Sequence, residues 1–366
     1  MSLTDVAKQL ATNRIGKIRV AIAGAEYGAM LVMSPMSRLF ATGFESSAGA
    51  LLITERDAWF FTDSRYFEAA CACISGAEVR LITNDDPYTA QIGAVLSREN
   101  ISAVGFEDGY VTCSTYLDWS EKLKAEMKPA QTIIDSLRSS KSAEDIRKMK
   151  AAQRIAEKSF EDILPLISTG ITEKQLATEL IYRFMKNGAD DKSFDPIVAS
   201  GPRSSMPHAT PTDRVIGDGF LTIDFGARLD GWCSDTTRTL CVGKPDGKMI
   251  CVYETVLKAQ EAGIAAARAG IRCCDIDAAA REVIAQAGYG EYFGHGFGHG
   301  LGLEVHEPPK VASTNEGDLP AGAVISAEPG IYLPGCYGVR IEDVLYVTET
   351  GCENITNLPK DLLIIG

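Results

Sequence analysis

The chain has 366 residues, 45% of them apolar, and its 49 acidic against 36 basic residues give a formal charge of −13. That length exceeds one ordinary core and predicts two domains, while the apolar content excludes a disordered chain. Scattered Lys and Arg exclude a nucleic-acid partner; the absence of a signal-type start and of any apolar run near the ~18 residues of a span predicts no membrane partner and a cytoplasmic protein.

The first third alternates helical and strand patterns. Helices are expected near residues 7–25, 66–74, 88–97 and 116–127, and strands near 29–33, 79–82, 103–106 and 132–134. Residues 48–54 and 58–62 read as a hairpin. In Thr62-Asp63-Ser64-Arg65-Tyr66, Asp63 or Ser64 is expected to cap the following helix. The elements predict an α/β domain over residues 1–133 and a second domain over 134–366. The ten cysteines form no C-x-x-C pair and are expected as reduced thiols.

Long helices open the second domain, at residues 144–166 and from Thr172, whose partner Gln175 completes a capping box, to about Asn187. An approximate repeat follows at an offset of 100: Gly170-Ile171 and Gly270-Ile271, Leu176 and Ile276, Gly188 and Gly288. Each half then runs to a histidine and an acidic hairpin, which predicts two similar halves facing a shared cleft.

In the first half His208 lies in a loop rich in Gly, Pro and Ser, and its position predicts a substrate-facing role. Residues 219–242 follow, with Asp224 alternating against apolar neighbours. A four-residue loop at 228–231 would set Asp224 directly opposite Asp235. Such like charges repel unless a cation lies between them. The second half repeats the arrangement with Glu328 and Glu342, and Arg340 should share the face of Glu342. Between the hairpins, residues 293–309 read FGHGFGHGLGLEVHEPP and hold three of the four histidines. Glycine alternates with His295, Phe297 and His299, the period of a strand whose bare face admits a close neighbour. Four carboxylates and an imidazole without a thiolate suit a catalytic site for Mn²⁺, Co²⁺, Fe²⁺ or Zn²⁺.

With these motifs in place, the region from Ser136 onward closely resembles the pita-bread metallopeptidases, an α+β fold with pseudo-twofold halves. The whole chain resembles the Xaa-Pro aminopeptidase and prolidase branch with its creatinase-like N-terminal domain; ATGFESSAG (41–49) and TDSRY (62–66) carry that part of the likeness. The resemblance implies two divalent ions, Mn²⁺ foremost, with Asp224 on one, His299 and Glu328 on the other, and Asp235 and Glu342 bridging. It implies that His208 and His306 stabilise the tetrahedral intermediate, that Glu328 also moves a proton, and that His295 and Arg340 hold substrate. The glycines would let a peptide backbone lie close to the histidines. Arg203 stands where a small polar residue or Asn is common, and Ala209 where Gly is common, both on the substrate side. Short proline-containing peptides are the implied substrates, cut as by an Xaa-Pro aminopeptidase, with the Xaa-Pro dipeptidase as the alternative, by a homodimer. Metal-free creatinase-type enzymes and silent binding modules share the fold, and retention of the five ligands argues against both.

Overall fold

The computed structural model describes residues 3–366, in two compact units that divide after Arg138. In the N-terminal unit a six-stranded sheet runs in the order Glu78–Leu81, Ala58–Thr62, Ala50–Thr54, Ala29–Val32, Ala103–Phe106, Glu126–Pro129. Only Ala50–Thr54 is antiparallel to its neighbours. Met30, Leu51, Ile53 and Phe60 pack into the core on one face, and Leu31, Leu52, Trp59 and Phe61 into the core on the other. Strands buried on both faces explain the nearly unbroken apolar runs.

Two helices depart from expectation. Ser34-Pro35 starts a short helix, Pro35–Thr42, which ends at Gly43 with φ 69°, a start and stop pattern that was present in the chain. Residues 132–134, expected as a strand, lie in the helix Gln131–Ser139, and the strand is Glu126–Pro129. Asp108 Oδ1 accepts from the amides of Ala130 and Gln131, so this helix is started by a side chain more than 20 residues away. In the TDSRY segment, Asp63 accepts from the Arg65 amide at 2.9 Å and pairs with its guanidinium, and makes no side-chain cap to the Phe67–Cys73 helix.

In the second unit, Ser142 with Asp145 and Thr172 with Gln175 form capping boxes at the starts of the helices Ala143–Ile163 and Glu173–Lys186. The 100-residue offset is structural: Glu173–Lys186 is matched by Cys273–Gln286. Gly170 and Gly270 have φ of 74° and 78°, and Thr172 and Arg272 each form an isolated bridge to a later segment. Leu176 and Ile276 are both fully buried, each in its own half's core. The first half sets two helices against the sheet Ile364–Ile365, Thr236–Val242, Gly219–Phe225, Ile197–Ser200. The second half sets Gly247–Ala266 and Cys273–Gln286 against the sheet Glu307–Val311, Gly298–Gly300, Val324–Ala327, Asp343–Val347, Cys352–Asn354. No helix among the described residues is long and apolar enough to cross a membrane.

The glycine-alternating stretch forms a strand only at Gly298–Gly300, with a bulge after His299. Two of its glycines are required by the neighbouring strands. A Cβ on Gly298 would sit 2.0 Å from the backbone oxygen of Ser326, and one on Gly300 2.5 Å from that of Glu307. Gly298→Ala must therefore push the strands apart at His299, and we expect a loss of about 1–3 kcal/mol in chemical denaturation; an unchanged midpoint would contradict this account of the glycines.

Candidate metal centre

The first acidic hairpin turns tightly. Leu229 pairs with Trp232 across Asp230-Gly231, whose φ values are 51° and 81°, the two positive angles of a type I′ turn. The expected four-residue loop is thus a two-residue one, and Asp224 faces Thr237, not Asp235. The shift is by two positions, which keeps every side chain on its face. Asp224 and Asp235 therefore still point to one side, as diagonal neighbours. In the second hairpin Ala327 pairs with Asp343 and Gly330 with Arg340, one register on either side, so Glu328 stands across from Glu342.

These four acids and His299 line one cavity of about 720 Å³, together with His208, His295, His306 and Arg340. Ligand atoms of Asp235, His299 and Glu342 lie within 4.8 Å of one another. His299 Nδ1 is 3.1 Å from the Gly300 carbonyl, which can only accept, so this nitrogen carries the proton. The other nitrogen, Nε2, then faces the acids, 3.1 Å from Glu328 and 3.7 Å from Asp235. Asp224 Oδ2 accepts from Arg340 Nη2 at 2.8 Å, and its Oδ1 is buried without a hydrogen-bond partner.

The electrostatics follow from burial and crowding. Burial, then the neighbouring charge of Glu342, pushes the Asp235 carboxyl well up. Burial, then Glu328 and Asp224, does the same to Glu342, and burial raises Asp224. Burial opposes ionisation of Glu328 too, but the hydrogen bond and charge of His299 outweigh it and bring that carboxyl down to about 2. One guanidinium among four carboxylates leaves a deficit of positive charge. With an unpartnered oxygen on Asp224 and an imidazole nitrogen turned inward, the donor set fits hard divalent cations.

Residues that sequence reasoning missed hold these groups in place. Thr237 Oγ1 donates to Glu342 Oε2 at 2.8 Å and accepts from Arg340 Nε at 3.0 Å. Its position two residues after Asp235 was the available signal, since alternate strand residues share a face. Arg340 Nη1 donates to Tyr332, whose hydroxyl is 2.9 Å from His295 Nε2, while His295 Nδ1 meets the Gly296 carbonyl. Both nitrogens of His295 are thus engaged, and burial holds its pKa below the usual value. His306 lies on the cavity wall, its ring centroid 4.2 Å from that of His299; partial desolvation of the ring and then the charge of His299 keep it below its ordinary pKa. Lys310, cross-strand partner of His299, also lines the cavity.

Comparison with known proteins agrees with this architecture. Residues 147–349 match the model of metallopeptidase family M24, and residues 14–140 that of the creatinase/prolidase N-terminal domain. An Xaa-Pro dipeptidase from Bacillus anthracis superposes with a TM-score of 0.93 at 40% identity, over 97% of this chain and 100% of that one. An X-Pro aminopeptidase from Thermotoga maritima superposes at 0.87 with 36% identity, over 93% and 98%. An Xaa-Pro dipeptidase from Pyrococcus horikoshii is 35% identical over 323 residues, 87% of this chain and 89% of its own. A catalytic-domain match over more than half of the chain, and relatives aligned almost end to end, fit a donor set built for divalent metal: the chain belongs to metallopeptidase family M24, in the branch with a creatinase/prolidase N-terminal domain.

Proposed function

We propose that the protein is an Xaa-Pro dipeptidase that uses two divalent ions, Mn²⁺ foremost, held by Asp224, Asp235, His299, Glu328 and Glu342. The creatinase-like N-terminal domain does not separate the dipeptidase from the expected aminopeptidase, since relatives named for either activity align over nearly the whole chain. The carrying observation is Lys310. Arg340 is committed to Asp224, Thr237, Tyr332 and the Pro207 carbonyl, which leaves Lys174 and Lys310 as the cavity cations without a side-chain partner among the described residues. Lys310 pairs with His299 across the strands and lines the same cavity, which makes it the cation assigned here to the carboxylate of a bound dipeptide, one residue from the scissile bond. A longer peptide has no charge there.

Bound divalent ions would supply Lewis acidity and make water a better nucleophile at neutral pH. Glu328, ionised across the physiological range, accepts the proton of the attacking water and returns it to the departing prolyl nitrogen. His306, neutral near pH 7, offers an N–H to the oxyanion, and His208 faces the same cavity from the other half. His295 and Arg340 shape the wall through Tyr332.

Hydrolysis of Gly-Pro against an Xaa-Pro-Pro tripeptide tests the assignment. Lys310→Met should raise KM for the dipeptide by about tenfold, the loss of one charge-assisted hydrogen bond, and change tripeptide hydrolysis little. Preferred turnover of the tripeptide by the unaltered protein would support the aminopeptidase instead.

A further inference from the structure

The loop of residues 200–212 carries His208, and both its ends are held by one buried carboxylate. Glu173, the first residue of the Glu173–Lys186 helix, is fully buried. Its Oε1 accepts from the amide of Ser200 at 2.8 Å and from the hydroxyl at 3.0 Å. Its Oε2 accepts from the Thr212 amide at 3.1 Å, the Thr212 hydroxyl at 2.8 Å and Arg203 Nε at 3.0 Å. Arg203 in turn donates to the Thr210 carbonyl. The middle of the loop is tied to the metal face, since the Pro207 carbonyl accepts from Arg340 and the Ser204 hydroxyl from the Gly338 amide.

An acid at a helix start needs no such burial, because water would satisfy it and the helix dipole would still favour it. Here all five bonds go to the histidine loop and none to the acid's own helix. Burial opposes ionisation, yet the donors of Ser200 and Thr212 outweigh it and keep the carboxyl below its ordinary pKa. The other histidine-bearing segments have separate anchors. Asp277 with Arg281 holds the Phe297 amide and the His295 carbonyl, and Glu307 with Lys141 holds the Glu304 amide.

We propose that Glu173, with Arg203, is the positioning residue for His208, fixing the loop so that its imidazole meets the scissile peptide. The proposal rests on the proposed peptidase function, with His208 of the cavity wall taking the stabilising role that the family resemblance implies for it. It also gives Arg203 a function: its Nε reaches the buried carboxylate while its Nη2 reaches Thr210.

The test is a pair of double-mutant cycles on the metal-loaded full-length protein with an Xaa-Pro dipeptide. Glu173→Gln should lower kcat by about tenfold, with KM changed less than about twofold and metal content unchanged. In a His208→Ala background the same substitution should cost less than about twofold, whereas in a His306→Ala background the full loss should remain. Equal losses in all three backgrounds would overturn the proposal in favour of a general packing role. If His208→Ala lowers kcat and Glu173→Gln does not, the positioning role falls and the role of His208 stands; if His208→Ala has no effect, both fall. Should Glu173→Gln fail to fold, Arg203→Gln leaves the four bonds from Ser200 and Thr212 in place, and the same coupling to His208 or its absence decides.

Discussion

Glu342→Gln should lower Xaa-Pro hydrolysis by about three orders of magnitude or more, beyond the roughly 10–100-fold typical of residues that only orient a ligand. Glutamine keeps the shape and leaves an oxygen for Thr237 Oγ1 to donate to, so the hairpin should survive. What it removes is a negative charge from the most crowded point of the cavity, where Asp235, His299 and Glu342 converge. The same change should raise the melting temperature of the metal-free protein, because it relieves the burial and repulsion that push this carboxyl up. Loss of activity together with a more stable metal-free protein separates a functional acid from a structural one. A variant that lost both activity and stability would point to an acid needed for packing.

The metal-free protein should become less stable as pH rises from about 5.5 to 8, and the metal-loaded protein should not. Asp235 and Glu342 have raised pKa values in the folded chain, from burial first and from neighbouring acids second. The folded state therefore binds more protons than the unfolded one above the ordinary carboxylate range, and stability falls with rising pH by about 1.4 kcal/mol per unit for each extra proton. His299 acts in the same direction: burial opposes its cation, but Glu328 outweighs burial and raises it, so stability held at low pH is lost as it deprotonates. Glu328, down at about 2, is ionised throughout this window and loses its contribution only in stronger acid. Bound cations hold all these groups deprotonated and cancel the slope. Denaturation midpoints at several pH values, with chelator and with Mn²⁺, read the difference. Parallel curves would mean that the acids do not share a cation site.

The local chemistry of the chain was legible where one residue type does one job. Thr172 with Gln175 marked a helix start, and the glycines at 170, 188, 270 and 288, all at positive φ, marked matching ends in the two halves. Alternation places Asp224 on its face even though the turn has two residues and not four, because an even slip of register leaves faces unchanged. The Asp230-Gly231 pair was itself the missing clue to that turn. Other features could not be seen because their causes are distant in sequence. Asp108 starts a helix at Gln131, Glu173 reaches Ser200 and Thr212, and Arg340 meets Asp224 and Pro207 only once both halves are folded. The glycine stretch was read in part for a related reason: alternation identifies a bare face, and only packing reveals that Ser326 stands against Gly298 and Glu307 against Gly300.

The most direct measurement is a metal titration of chelated, full-length protein, following hydrolysis of an Xaa-Pro dipeptide and the number of ions bound per chain. No turnover is expected without metal, and activity should rise with added Mn²⁺ and level off at two ions per chain. A protein that stays inactive with Mn²⁺ or Co²⁺, or that hydrolyses the dipeptide equally well with every ion removed, would contradict the proposed function.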